Sequence, residues 1–176
     1  MKFSIKRSAL LNALQLLSKA TPTRSTLPII GCALFTQKSE KLNIKTTDLE
    51  ISISIDCDVE NFTEGSIAIP LNKLLEITNA MSEEKIDFSI SDIGKVNIDC
   101  NQGQYTIMGQ SHEDFPKEQI IENGTTFSIS GKKLMDIIKN TTYATSRDDL
   151  KPVLQGVLFQ IDEKGFVSVA TDGHRL

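Results

Sequence analysis

The sequence predicts an α+β fold made of repeated strand–helix–three-strand units, two to a domain, with the helices on one face of antiparallel sheets. Three observations lead there. The chain matches itself at a constant offset of 124 residues, which carries Phe3-Ser4-Ile5 onto Phe127-Ser128-Ile129, Leu34-Phe35 onto Leu158-Phe159 and Thr47-Asp48 onto Thr171-Asp172. A weaker period of about half that length brings a short strand and a helix with paired large apolar residues back at 3–17, 66–80 and 127–141. The stretches between those helices alternate apolar and polar residues, the mark of half-buried strands.

The elements follow in order. Phe3 and Ile5 flank Ser4 in an opening strand, and Leu10, Leu14 and Leu17 then recur at helical spacing. Lys2, Lys6 and Arg7 stand ahead of this leucine-rich stretch as in an export signal, but Asn12 and Gln15 interrupt it, so an amphipathic helix explains it better. Segments 29–36, 41–47 and 50–59 read as strands, the last with Ile51, Ile53 and Ile55 alternating with Ser52 and Ser54. The second helix leads to strands at 85–90, 95–100 and 105–108, with Asp92-Ile93-Gly94-Lys95 as a hairpin turn. A domain of residues 1–123 therefore ends near Glu122-Asn123-Gly124, and a second copy occupies 124–176. That copy is much shorter than the first, so the expectation is one complete domain and one truncated one. Strand edges left unpaired by such a cut would be sticky.

Opposite their apolar stripes the helices carry Ser8, Asn12, Gln15 and Lys19, then Asn72, Glu76 and Asn79 with Lys73 off to one side, then Lys132, Asp136 and Lys139. Such faces are ordinarily just solvated. The charge pattern adds to this. The net charge of −4, from 19 Lys+Arg against 23 Asp+Glu, argues at face value against a basic nucleic-acid binder. Yet residues 1–39 hold six bases and no acid, whereas residues 81–122 hold nine acids and three bases. Basic helices and acidic strands would attract a polyanion to one face and keep the other soluble.

Other classes find little support. Cys32, Cys57 and Cys100 form no CxxC pair and read as reduced, buried thiols of a cytoplasmic protein. No apolar run is long enough to span a bilayer, and no phosphate-binding glycine loop or nucleophile elbow occurs. His112 and His174 are the two histidines, and Asp172 beside His174 lacks the partners that catalysis or a metal would need. Because Thr47-Asp48 lacks the Gly-His-Arg-Leu that follows Thr171-Asp172, the Thr-Asp pair reads as structural and 173–176 as the specialised addition.

Met1-Lys2-Phe3, Leu27-Pro28-Ile29-Ile30-Gly31, Thr47-Asp48-Leu49-Glu50, Asp114-Phe115-Pro116 and the heptad Ala170-Thr171-Asp172-Gly173-His174-Arg175-Leu176 together resemble the bacterial DNA polymerase III beta subunit family, the sliding clamps. The resemblance runs through the whole chain in order. It implies the DNA clamp fold, with three repeated domains per chain, of which the third is absent here. It further implies two chains closing head to tail into a homodimeric ring around double-stranded DNA, helices lining the hole. Such a protein is a processivity factor, not an enzyme, and needs no cofactor. Its partners are DNA, contacted without regard to sequence, the DNA polymerase III alpha subunit, the clamp loader and other proteins carrying clamp-binding motifs; no membrane is involved.

Residue by residue, the resemblance implies DNA contacts at Arg24, Asn72 with its neighbour Lys73, Arg147, Asp148, Lys151, Pro152 and Val153. Asn72 replaces a family arginine, so Lys73 takes over the charge there. Asp148 would repel phosphate, which makes Arg147 or Lys151 the better contact. Leu154, Thr171, Gly173, His174, Arg175 and Leu176 match part of the hydrophobic pocket that takes short linear peptides. Tyr105 and Ile107 match residues at the ring-closing interface, and an alternating strand at a domain edge suits that role; an intramolecular core strand is the ordinary alternative. Two rival functions stay open, a peptide-binding adaptor without DNA and an enzyme using Asp172 and His174.

Overall fold

A computed structural model describes residues 1–22, 27–82, 84–101, 103–117, 124, 126–162 and 165–176. The chain falls into two compact units, Met1–Gln119 and Ile120–Leu176. The expected boundary at 122–124 lies largely outside the described residues.

The first unit begins with β1 (Lys2–Lys6) and α1 (Arg7–Leu17), followed by β2 (Cys32–Gln37), β3 (Lys41–Thr47), β4 (Ser52–Asp58) and β5 (Glu60–Thr63). The pattern then recurs as β6 (Gly65–Pro70), α2 (Leu71–Ala80), β7 (Lys85–Ile90), β8 (Lys95–Cys100) and β9 (Gly103–Met108). All ladders are antiparallel and form two sheets, ordered β5-β1-β7-β8-β9 and β4-β3-β2-β6. Each half thus lends its opening strand to the other half's sheet: β1 lies beside β7, and β6 lies beside β2. The exchange ties the two halves into one core.

That core is apolar and sealed. Phe3, Leu10, Leu14, Leu17, Phe35, Leu42, Ile44, Leu71, Leu74, Ile86 and Phe88 are at most 2% exposed. Phe3 stacks on Phe88 at 4.7 Å between ring centroids, joining the two halves directly. The helices meet each other and press their leucine stripes into this core, while Ser8, Asn12, Gln15, Lys19, Asn72, Lys73, Glu76 and Asn79 stay exposed as the wheel predicts. Arg7 links the helices at their ends: its Nε donates to the Thr78 carbonyl at 2.9 Å and Nη2 to that of Asn79 at 3.2 Å. Those carbonyls close α2 and have no partner within the helix.

Three strand expectations change. The segment 29–36 starts as a 3-10 turn, Pro28–Gly31, because Pro28 fixes φ and has no N–H for a ladder; the strand begins only at Cys32. The segment 50–59 starts at Ser52, since a turn at Asp48 claims the N–H groups of Glu50 and Ile51. The expected strand at 127–129 has no ladder. In the first unit β1 is held by β5 and β7, and among the described residues of the second unit nothing pairs with 126–130.

The second unit holds α3 (Gly131–Thr141), then β10 (Leu158–Asp162) and β11 (Gly165–Val169), which form a hairpin. Ser130 caps α3 by accepting the Lys133 N–H at 3.3 Å. The 124-residue offset persists in three dimensions. The helix α3 begins and ends at α1 plus 124, and 3-10 turns at Thr142–Ala144 and Pro152–Gln155 match Ser18–Ala20 and Pro28–Gly31. The register agrees as well: Leu34 faces Lys45 and Phe35 faces Ile44, as Leu158 faces Val169 and Phe159 faces Ser168. Burial does not follow, for no residue of α3 or β10 is buried.

Candidate functional site

The chemically distinctive region lies in the second unit, where the loop 145–156 meets the turn 171–175. The turn is built by Asp172. Its Oδ1 accepts the N–H groups of His174 at 2.9 Å and Arg175 at 3.0 Å, and its Oδ2 accepts from Arg175 Nε at 2.9 Å. Thr171 Oγ1 accepts the Gly173 N–H and donates to the Arg175 carbonyl at 2.6 Å. Gly173 sits at φ +92°, the left-handed region that glycine adopts without strain. The same bonds recur at Thr47 and Asp48, where Leu49 occupies the left-handed position at φ +81°. Thr-Asp is therefore a turn-building pair in both copies, in agreement with the sequence reading.

Backbone donors lower both carboxyl pKa values. The N–H groups of Ile51 and then Glu50 pull Asp48 down, and those of His174 and then Arg175 pull Asp172 down, helped by the Arg175 guanidinium. An Asp172 so engaged is a structural anion rather than a free base for His174. Among the described residues no three His, Cys, Asp or Glu side chains are grouped to hold a metal ion. Nor, among those residues, is any helix long and apolar enough to cross a membrane.

The loop 145–156 folds on similar local bonds. Asp148 accepts the Leu150 N–H at 3.0 Å while its own N–H donates to Ser146 Oγ at 3.0 Å. Asp148 thus shapes the turn that presents Arg147 and Lys151, in a loop whose two bases stand beside two acids, Asp148 and Asp149. The Ser146 N–H donates to the Leu154 carbonyl at 2.8 Å, and Gln155 Nε2 to Asp149 Oδ1 at 2.9 Å, closing the loop on itself.

Between loop and turn runs an open groove of about 480 Å³, onto which Tyr143, Arg147, Asp148, Lys151, His174 and Arg175 face. The Arg175 guanidinium lies 5.9 Å from the Tyr143 ring centroid, in cation–π range. The structure therefore brings together residues drawn from two expected sites, Arg147, Asp148 and Lys151 from the DNA set and His174 and Arg175 from the peptide set. Pro152 and Val153 are exposed on the adjoining 3-10 turn, Val153 at 87%. Leu154 and Thr171 are half-buried, and Gly173 and Leu176 are exposed; none of these four lines the groove.

In the first unit Asn72 and Lys73 are exposed on α2, and Arg24 lies outside the described residues. Tyr105 and Ile107 sit on β9, which closes one end of the five-stranded sheet. They face Ile98 and Val96 across the ladder, and Ile107 packs against the core while Tyr105 is 37% exposed. The strand is thus an edge of its sheet and also lends Ile107 to the core, as the intramolecular alternative expects. Tyr143 escaped the sequence reading because its counterpart in the repeat is Lys19, so the offset offers no aromatic signal there.

Comparison with known proteins completes the picture. The family described as DNA polymerase III beta subunit, N-terminal domain, matches residues 1–119, and the one described as its central domain matches residues 128–176. A beta sliding clamp of Pseudomonas aeruginosa is 32% identical over 178 residues, covering 100% of this chain and 48% of that protein. One of Vibrio cholerae is 29% identical with the same coverage. The crystal structure of the DNA polymerase III subunit beta from Pseudomonas aeruginosa superposes with a TM-score of 0.93 at 30% identity, covering 99% of this chain and 48% of that one. A beta subunit from Eubacterium rectale gives 0.92 at 26%, with the same coverage. The chain spans about half the length of the curated relatives it matches.

Proposed function

The chain belongs to the DNA polymerase III beta subunit family, and from that premise we propose that it works in a ring-shaped sliding clamp. The clamp is a non-catalytic processivity factor of the cytoplasm that encircles double-stranded DNA and tethers the replicative polymerase and other partners. The observation that carries this reading is the division of charge over the fold. The exposed side of α1 and the turn after it offers Ser8, Asn12, Gln15 and Lys19 with no acid, and α2 adds Asn72 and Lys73 beside one acid, Glu76. The strands carry more exposed acid, at Asp56 and Asp58 of β4, Glu60 of β5 and Asp87 of β7.

Sparse positive charge on a polar helical face suits sliding. Each phosphate contact is weak, exchanges readily with counterions and water, and ignores sequence. A densely basic face would pin the ring. Arg24, Lys73, Arg147 and Lys151 act as the phosphate contacts, Asn72 is a neutral neighbour, and Asp148 holds the loop that carries Pro152 and Val153. Leu154, Thr171, Gly173, His174, Arg175 and Leu176 contribute one wall of the pocket for clamp-binding peptides of the polymerase alpha subunit and the clamp loader. Tyr105 and Ile107 on the β9 edge close the homodimeric ring.

The test is topological. Intact protein loaded on nicked circular DNA is retained and is released when the circle is linearised; equal retention on circular and linear DNA overturns the reading. Lys73→Glu with Lys151→Glu weakens DNA association alike for all sequences and lowers the slope of log affinity against log salt by about 2, roughly one for each lost phosphate contact.

A further inference from the structure

Beyond Met108 the chain leaves the sheet of β9 and crosses to the other sheet of the first unit. The Gln110 N–H donates to the Ala68 carbonyl at 2.8 Å, and the Gln110 carbonyl accepts the Ala68 N–H at 3.1 Å, covering the outer side of β6. One residue earlier, the Gly109 N–H donates at 2.9 Å to the carbonyl of Gly94, in the turn between β7 and β8. Phe115 then packs, buried, against Cys32 and Ala68 in a small cluster of its own.

The first half makes the same crossing. Lys41-Leu42-Asn43-Ile44 of β3 corresponds to Lys95-Val96-Asn97-Ile98 of β8, and Asn43 faces Asp56 as Asn97 faces Thr106. Four residues further on, Glu60 pairs with Ser4 and Gln110 with Ala68, and Ser4 and Ala68 each stand three residues ahead of a helix. Val59 and Gly109 are therefore equivalent. Val59 carries a buried side chain, whereas a Cβ at Gly109 would lie 2.7 Å from Ile67 Cγ1 and 2.9 Å from the Ala68 carbonyl oxygen. Only glycine lets the two backbones approach so closely. The first crossing continues as the four residues of β5, but the second is held by a single bridge, so its geometry hangs on Gly109.

We propose that Gly109 and the backbone of Gln110 are positioning elements for ring closure: by fixing where β9 leaves its sheet, they hold its edge, with Tyr105 and Ile107, in place for the second chain. The inference rests on the reading of β9 as the ring-closing edge. An edge strand has one neighbour and opens most easily from its end. The last rung of β9, Met108 opposite Lys95, comes immediately before Gly109, so the crossing anchors the end that would otherwise fray. Along the strand Thr106 Oγ1 donates to Asn97 Oδ1 at 3.1 Å and Gln104 Nε2 to Asp99 Oδ1 at 2.6 Å, but these pairs are exposed and compete with water. The backbone bonds of the crossing carry the fixing. An edge ordered beforehand loses less conformational freedom when a partner docks on it.

The dissociation constant of the ring formed by the intact protein, read by sedimentation beside the urea unfolding midpoint, tests this. Gly109→Ala, and Gln110→Pro, which removes the donor to Ala68, should each raise that constant about tenfold or more. Gln110→Ala keeps both backbone bonds and should stay within about twofold. Ile44→Val, a core change on β3 away from the crossing, should lower the midpoint and also leave the constant within about twofold. If Gly109→Ala does not fold, the contrast between the two Gln110 variants decides. Crossing variants that move the midpoint alone, as Ile44→Val does, make the crossing merely structural and overturn the proposal. Tyr105→Asp separates the two layers of the reading. A ring that survives it overturns the role of β9 and this inference together, whereas a ring opened by it but unmoved by both crossing variants overturns this inference alone.

Discussion

Phe35 and Phe159 stand at the same place in two copies of one backbone, in the same hairpin register, and one is sealed from water while the other is 43% exposed. Residues 7–51 and 131–175 agree in helix bounds, 3-10 turns, hairpin pairing and the Thr-Asp turn. What separates them is the cover. In the first unit β6, α2 and β7–β9 close over the leucine stripe, and no described residue does so in the second. Local chemistry is enough to draw the elements, and a second layer is what turns an apolar stripe into a core.

The strongest way to break this comparison is to truncate the paired aromatics. Phe35→Ala should cost about 3–5 kcal/mol, since it empties a packed site. Phe159→Ala, in dilute monomeric protein, should cost less than about 1 kcal/mol, since its ring already meets water. Urea unfolding of each variant reads the difference, and equal losses would show that exposure misrepresents the second unit.

The paired turns sharpen the comparison at smaller scale. Gly173→Leu places a side chain in the left-handed region and should cost roughly 1–2 kcal/mol. The reverse change, Leu49→Gly, relieves a similar strain but frees the unfolded chain by about 0.5–1 kcal/mol, so it should be neutral to slightly stabilising. Thermal unfolding of the two variants checks the asymmetry.

The smallest effect is in acid. Folding lowers the pKa of both Asp48 and Asp172. The unfolded state therefore takes up protons first as pH falls. The contribution of each is whole above the unfolded aspartate value, about 3.9, and is lost as pH falls through the lower folded value. Asp48→Asn and Asp172→Asn should each flatten the stability profile in that acid window and leave its shape above it unchanged. A pH series of urea midpoints measures this, and an unchanged acid limb would deny the carboxylates their role in the turns.

Much of this was legible in the residues. The stripe of Leu10, Leu14 and Leu17 fixes α1 because a 3.6-residue period has one apolar face, and β3, β7 and β8 begin and end where their alternation does. The 124-residue offset marks Thr-Asp as a structural pair, because it sits at the same place in each copy, and the bonds at Asp172 show that its structural task is a turn. The candidate site was less legible. Asp148 reads as a repelling charge until its carboxylate is found on the Leu150 N–H. The approach of Tyr143 to Arg175 joins residues 32 positions apart by a contact that no periodicity records.

By itself, then, the sequence determined the repeat, which is a match of like residues along the chain, and the period of each element and the local turn chemistry, which depend on residues a few positions apart. Tertiary structure decided which strands pair, and so which apolar faces are core. β1 bonds to β7 and β6 to β2 because each half exposes an apolar stripe and a free edge that only the other half covers. That choice is made by long-range burial and ladder closure, and alternation along a single strand is blind to it.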